Sequence, residues 1–341
     1  MFIILTLASL IAASVPILGY LFLIWKIDLY SPKPLWLMGA AFLWGALGAV
    51  LVAIFSQVTL EFPLSFLLSP ELNAQMGATI VAPLTEEPAK AFILLLLIRS
   101  RSYSNTCDGF VLGAAAGLGF GMTENAKYFI EGSMQAGLFG LEFWTQLVIT
   151  RTLFCAVMHA TATSLVGASL GFGKFLSKPL RVVSVSVGLF LALGIHALWN
   201  GILVTDVTAG EDFLKLADLL QFEGPMEPML IDIVLLGAEL SLTISTFFAF
   251  LFWEGRQLKK SLNIEAKRGL ILSQHIPYLS SYWKRRQKGW YEPEEQREEF
   301  INLATQLALR GTQSRLLNDK RSEWYKSDYK RIQLEIKSLQ E

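Results

Sequence analysis

The chain has 341 residues, 53% of them hydrophobic, 12% aromatic and only 17% charged, with a mean hydropathy of +0.45, which excludes a large water-soluble core and describes a polytopic membrane protein. Formal net charge is zero, yet residues 253–341 hold 18 of the 29 Lys and Arg against 12 of the 29 Asp and Glu, so a tail of net +6 balances a remainder of −6. The two cysteines, Cys107 and Cys155, suggest neither a disulfide framework nor a thiolate metal site, and no nucleic-acid partner is expected.

Seven stretches reach the roughly 20 apolar residues that a bilayer crossing needs: about 2–25, 35–56, 74–98, 109–130, 144–171, 181–205 and 229–252. The first lacks a basic leader and is longer than a signal-peptide core, so it reads as a retained span. Lys26 and Lys33, then Arg99 and Arg101, then Lys174, Lys178 and Arg181, and finally the basic tail fall in alternate connections. The second and fourth connections hold Glu61, Glu71, Glu131 and Glu142 with no Lys or Arg, and the sixth has Lys215 alone among acids. The positive-inside rule then puts the N-terminus outside and the C-terminus in the cytoplasm. The expected fold is an all-α membrane bundle of about seven spans (residues 1–252) followed by a basic helical cytoplasmic region (residues 253–341).

In that region, basic residues interleave with Leu262, Ile264, Tyr278, Trp283 and Trp290, which suits a segment near an anionic membrane surface. From Pro293 onward apolar residues recur at helical spacing, which reads as a small helical module. A cytoplasmic partner for residues 253–341 is one expectation, and a solvated tail without a partner is the plain alternative.

The third stretch contains Pro83-Leu84-Thr85-Glu86-Glu87-Pro88-Ala89-Lys90. A charge at mid-bilayer costs at least about 2.5–3.5 kcal/mol on insertion scales, so a buried carboxylate pair points to function. Lys90 stands at i+4 from Glu86 and i+3 from Glu87, where it can neutralise one of them; the alternative is a lysine that snorkels to the cytoplasm. Pro88 and Pro83 are expected to kink or break the helix, with Thr85 a candidate cap of a restarted one.

At 1.5 Å of rise per residue, Glu86, Glu87 and His159 lie roughly 16–18 Å from the cytoplasmic side, and Glu124 and His196 roughly 22 Å. A lone intramembrane histidine is usually a bonded core residue. Two in one layer with three glutamates are a different matter, because imidazole plus carboxylate is the ligand set of a catalytic Zn²⁺ site. Asn125 follows Glu124, and Asn200 shares a helix face with His196, where its amide could orient the ring or hold an oxyanion. Thr163 lies one turn after His159. Arg151, about two turns before it, is expected to pair with Glu142 or Glu131 or to reach the headgroups.

Glu86-Glu87-x-x-Lys90, Phe120-x-x-x-Glu124-Asn125, His159 and His196-x-x-x-Asn200 occur in this order on successive helices. In this the chain resembles the PrsW family of intramembrane proteases, related in architecture to the CAAX prenyl and bacteriocin-processing membrane proteases, over roughly residues 30–252. The resemblance implies cleavage of a single-pass, membrane-anchored regulator, such as an anti-sigma factor, within or beside the outer leaflet of a bacterial plasma membrane. CAAX prenyl proteases carry His where this chain has Glu124, so a prenyl substrate does not transfer.

The preferred mechanism has Glu124, His159 and His196 hold Zn²⁺, which acidifies a bound water, while Glu87, or almost equally Glu86, takes the proton. Asn200 is then an orienting or oxyanion group. A metal-free glutamate protease of the same fold and a proton- or cation-coupled transporter are the rivals; the paired discontinuous helices expected of a transporter are not apparent, since only the third stretch has prolines beside its charges. A third reading is a scaffold whose tail binds a partner and whose polar layer is structural.

Overall fold

The computed structural model describes residues 2–27, 33–100, 102–139, 141–208, 227–317 and 320–340, all of them helical or in short connections, with no strand among the described residues. Arg101 and Lys215, used above to assign sides, lie outside them. The helices are α1 (Phe2–Ile27), α2 (Leu35–Leu43), α3 (Val50–Leu64), α4 (Pro70–Met76), α5 (Ala82–Leu97), α6 (Thr106–Phe139), α7 (Leu141–Thr150), α8 (Ala156–Phe172), α9 (Lys178–Thr208) and α10 (Glu227–Lys267). After them come the short α11 (Ile276–Leu279) and α12 (Tyr282–Arg285), then α13 (Arg297–Leu316) and α14 (Lys320–Gln340). Three five- or six-residue π-helical segments, Trp44–Ala49, Gly77–Val81 and Arg151–Cys155, join α2 to α3, α4 to α5 and α7 to α8.

Each expected span falls within one of these helices or joined pairs. Four are long and apolar enough to cross a membrane by length and composition: Ile3–Lys26, Leu35–Leu64, Leu141–Phe175 and Lys178–Gly201. The third stretch carries Glu86, Glu87 and Lys90, and the fourth Glu124 and Lys127, so charge lowers the hydropathy of both. The division expected at residue 252 falls inside α10, which runs unbroken to Lys267.

Helix α6 organises the bundle. Its start is fixed by a capping box: Asn105 Oδ1 accepts from the Asp108 backbone N–H at 2.7 Å, and Asp108 Oδ2 accepts from the Asn105 N–H at 3.2 Å, satisfying helix-end donors reciprocally. Glu254 of α10 accepts from the Cys107 N–H at 2.9 Å, and buried Lys33 lies 2.6 Å from Asp108 Oδ1.

Along its length α6 packs on α8 through glycines. A methyl group on Gly109, Gly113 or Gly117 would lie 1.9, 2.4 or 2.1 Å from the backbone oxygen of Gly167, Thr163 or His159. The i, i+4 repeat keeps these three on one face, and the missing side chains let the two backbones touch. Gly119 on another face meets Phe42 at 2.0 Å in the same sense.

The C-terminal helices share one apolar cluster with this bundle: Leu262, Phe300, Leu307 and Ile336 pack in a group that includes Cys107, Phe110 and Ala168. Gln313 Nε2 donates to the Ser104 carbonyl at 2.9 Å.

Candidate active site

The π segment Gly77–Val81 immediately precedes the helix of the two glutamates. The helix passes through Pro88 without a break, contrary to the expected interruption there, and the departure from regular α-helix lies at Gly77–Val81, about two turns upstream of Pro88. Such π turns are frequent at functional sites. Thr85 does not cap: its hydroxyl donates back to the Val81 and Ala82 carbonyls at 2.9 and 3.0 Å.

Adjacent residues point about 100° apart on a helix, and Glu86 and Glu87 part accordingly. Glu87 is fully buried. Its Oε1 accepts from Lys90 Nζ at 2.6 Å and faces His196 Nδ1 at 2.8 Å, and its Oε2 accepts from the Thr163 hydroxyl at 3.1 Å. Glu86 faces a cavity of about 620 Å³, where its Oε1 accepts from Gln57 Nε2 at 3.0 Å and its Oε2 lies 3.7 Å from His196 Nε2.

Lys90 is also fully buried, so it does not snorkel. Its ammonium sits 4.3 Å above the Phe120 ring, 3.5 Å from Glu86 Oε2 and 3.0 Å from His159 Nδ1. A buried charge pair is sustained by such complete hydrogen bonding.

The two imidazoles are held in opposite senses. A carboxylate only accepts, so His196 donates from Nδ1 to Glu87, and in the neutral ring Nε2, 3.7 Å from Glu86 Oε2, is then the nitrogen with the free lone pair. An ammonium only donates, so His159 accepts at Nδ1 and gives its Nε2 proton to Glu124 Oε2 at 2.6 Å. The rings stand edge to face, 5.2 Å apart.

Arg151 does not pair with Glu142 or Glu131. Its Nη2 lies 3.1 Å from Glu124 Oε2, its Nε donates to Asn125 Oδ1 at 3.1 Å, and its guanidinium stacks 3.7 Å over the Tyr128 ring. The Arg151–Cys155 π segment brings it there.

One ligand atom each from Glu86, His159 and His196 lies within 4.8 Å of the others. Glu/His/His is a donor set that suits catalytic Zn²⁺; a neutral His196 offers Nε2 to it, and His159, whose Nδ1 is held by Lys90, joins it by giving up its Nε2 proton, so that the Nε2 contact with Glu124 is exchanged for the metal. Glu124, expected as a ligand, stands beside this trio as the partner of His159 and Arg151. It lines the cavity together with Glu86, His159, Trp199 and Asn200. Asn125, fully buried, braces Arg151. Asn200 Nδ2 donates to the Ala78 carbonyl at 2.9 Å, tying α9 to the π segment ahead of the glutamates.

The profile of the PrsW family intramembrane metalloprotease matches residues 33–222, more than half of the chain and every site residue named above. The chain belongs to the PrsW family. It is thus a multi-pass membrane protein and an intramembrane protease. It is similar to Protease PrsW of Clostridioides difficile (strain 630), with 26% identity over 196 residues that cover 57% of this chain and 78% of the relative. No solved structure matches.

Within this PrsW-family site, three contributors escaped the motif reading. Gln57 lies one residue past the expected end of the second span, but α3 continues to Leu64 and carries it into the cavity. Arg151 has its partner two turns along another helix, which no spacing within one segment reveals. Thr163 was singled out only by its place one turn after His159; its bond to Glu87 depends on the α6–α8 and α5–α8 packing.

Proposed function

We propose that this PrsW-family protease hydrolyses a peptide bond of a single-pass membrane protein, an anti-sigma-factor-like regulator, near the outer leaflet of a bacterial plasma membrane. Seven spans with the N-terminus outside and the C-terminus in the cytoplasm complete this reading. The observation that carries the hydrolytic chemistry is the convergence of Glu86, His159 and His196, the first two of them lining a cavity whose wall also bears Glu124.

Glu86, His159 and His196 are the proposed ligands of Zn²⁺. The ion supplies Lewis-acid polarisation of a carbonyl and acidification of water.

Glu124 is the proposed general base. Its side chain is more exposed than that of Glu86, 23% against 8%, so it can meet a water in the cavity. Arg151 and Asn125 hold it there. Glu87, Lys90 and Thr163 orient His196 and balance the buried charge from behind the cavity wall. Asn200 stands at the cavity with one amide proton engaged by Ala78, leaving the other for a substrate carbonyl.

A metal-independent reading also has a specific observation behind it. His159 accepts from Lys90 and donates to Glu124, so Glu124 and His159 already form an acid–base pair on the cavity wall. Cleavage of a tagged single-pass substrate by the reconstituted full chain separates the readings. Loss of cleavage on chelation and recovery with Zn²⁺ is expected, and full turnover by metal-free protein overturns the ligand assignment. Retained cleavage in both Glu124→Gln and His196→Ala would sink the site altogether.

A further inference from the structure

Away from the catalytic layer, a second hollow of about 480 Å³ lies between α8, α9 and Phe250 of α10. Its α9 wall is formed by Leu180, Val183, Val187 and Leu191, with Leu165 and Phe172 opposite on α8. Ser184 and Ser169 are its polar members. Ser184 Oγ donates to the Ser169 carbonyl at 3.2 Å and Ser169 Oγ to the Val166 carbonyl at 2.7 Å. Both hydroxyls are spent on backbone, and the hollow offers only apolar surface to an occupant.

From Leu180 to Leu191 α9 rises about 16 Å, close to half of the roughly 30 Å hydrocarbon thickness of a bilayer. The hollow is therefore one leaflet deep. A transmembrane helix docked against these two helices would need a groove of the full thickness.

At its shallow end, Lys178 and Arg181 open α9, and the Arg181 stem lies over Gly173, whose added methyl would sit 2.7 Å from Arg181 Cγ. Neither cation pairs with a carboxylate among the described residues, although both stand where a headgroup layer begins. Trp253 packs there on Phe172 and Phe175, with ring centroids 5.3 and 6.3 Å apart, as tryptophans do at a membrane interface.

We propose that this hollow seats an acyl chain of an anionic phospholipid of the cytoplasmic leaflet, its phosphate held by Lys178 and Arg181. Placing it in that leaflet rests on the proposed orientation. Apolar depth fixes the chain, and two cations without a carboxylate partner among the described residues select an anionic headgroup over a zwitterionic one. The bound lipid braces the α8–α9 pair, whose other halves carry His159 and His196.

The test is native mass spectrometry of the full-length protein released from nanodiscs of equal phosphatidylcholine and phosphatidylglycerol. The wild-type chain is expected to retain phosphatidylglycerol selectively. Val187→Trp, which fills the hollow from an exposed position, should lose retained lipid of both kinds, and Lys178→Glu/Arg181→Glu should lose the selectivity. These surface changes leave the buried core untouched, which a matching thermal transition checks. No retained lipid in the wild type, equal retention of the two lipids, or phosphatidylglycerol retention unchanged in both variants overturns the proposal. Disulfide-linked dimers through Val187→Cys would assign the hollow to a second copy and overturn it equally. None of these outcomes depends on proteolysis, so they are distinct from failure of the catalytic assignment.

Discussion

Glu87 Oε1 lies 2.8 Å from His196 Nδ1, so a carboxylate outside the cavity wall decides which imidazole nitrogen is turned toward Glu86. The same oxygen receives Lys90 at 2.6 Å. The Glu-Glu-x-x-Lys stretch is therefore divided between a residue that faces the reaction and two that arrange its surroundings.

Removing one member of the buried pair should be costly. Lys90→Met leaves Glu87 uncompensated and should destabilise the protein by about 3–5 kcal/mol. Glu87→Gln combined with Lys90→Met should cost less than the sum of the two single changes, because neither charge is then stranded. Thermal or denaturant unfolding in detergent of all four proteins measures the coupling, and strict additivity would mean the pair is not energetically linked.

The roles of Glu86 and Glu124 can be separated. Glu86→Gln should lower bound Zn²⁺ together with cleavage. Glu124→Gln should keep the metal and lose turnover by about 10²–10⁴-fold, the usual range for a general base. Metal content and turnover measured on the same preparations distinguish them, and loss of metal in Glu124→Gln alone would return Glu124 to the ligand set.

Close approach of α6 and α8 predicts a contrast among glycines. Gly117→Ala puts a methyl 2.1 Å from the His159 carbonyl and should cost about 1–3 kcal/mol by overpacking, with reduced activity because His159 moves. At Gly194 an added methyl meets nothing within 4 Å, so Gly194→Ala should be close to neutral in both. Equal effects at the two sites would contradict the packing described.

The C-terminal helices should loosen in acid. Burial holds the His275 imidazole below its usual pKa, its Nδ1 has no hydrogen-bond partner, and Trp290, Tyr291 and Phe300 surround it at 5.3–5.7 Å. The unfolded chain then takes up a proton more readily than the folded one, so stability is full above about pH 6.5 and declines as pH falls below it. Hydrogen exchange of α13 between pH 7.5 and 5.5 should rise in the wild type and change less in His275→Phe.

The polar layer was readable from sequence because charge and imidazole are rare in apolar helices, and depth along a helix follows from residue count. That reasoning brought Glu86, Glu87, Glu124, His159 and His196 to one level. Side-chain direction was not readable to the same degree. Glu87, favoured as base, is buried away from the cavity, and Glu86 rather than Glu124 joins the two histidines within 4.8 Å; which neighbour on a helix faces which depends on packing between helices, and spacing along one helix does not carry it. The capping box at Asn105 and Asp108 follows a local pattern and was open to reading. The Arg151–Glu124 and Gln57–Glu86 pairs join helices distant in sequence and depend on packing.

The central claim is that Glu86, His159 and His196 form one metal-holding centre beside Glu124. Anomalous scattering at the zinc edge from crystals of the full chain tests it most directly. The predicted result is a single peak within bonding distance, about 2.0–2.2 Å, of one atom from each of the three side chains, absent in His196→Ala. No peak in zinc-supplemented, catalytically active protein, or a peak bound elsewhere, would contradict it.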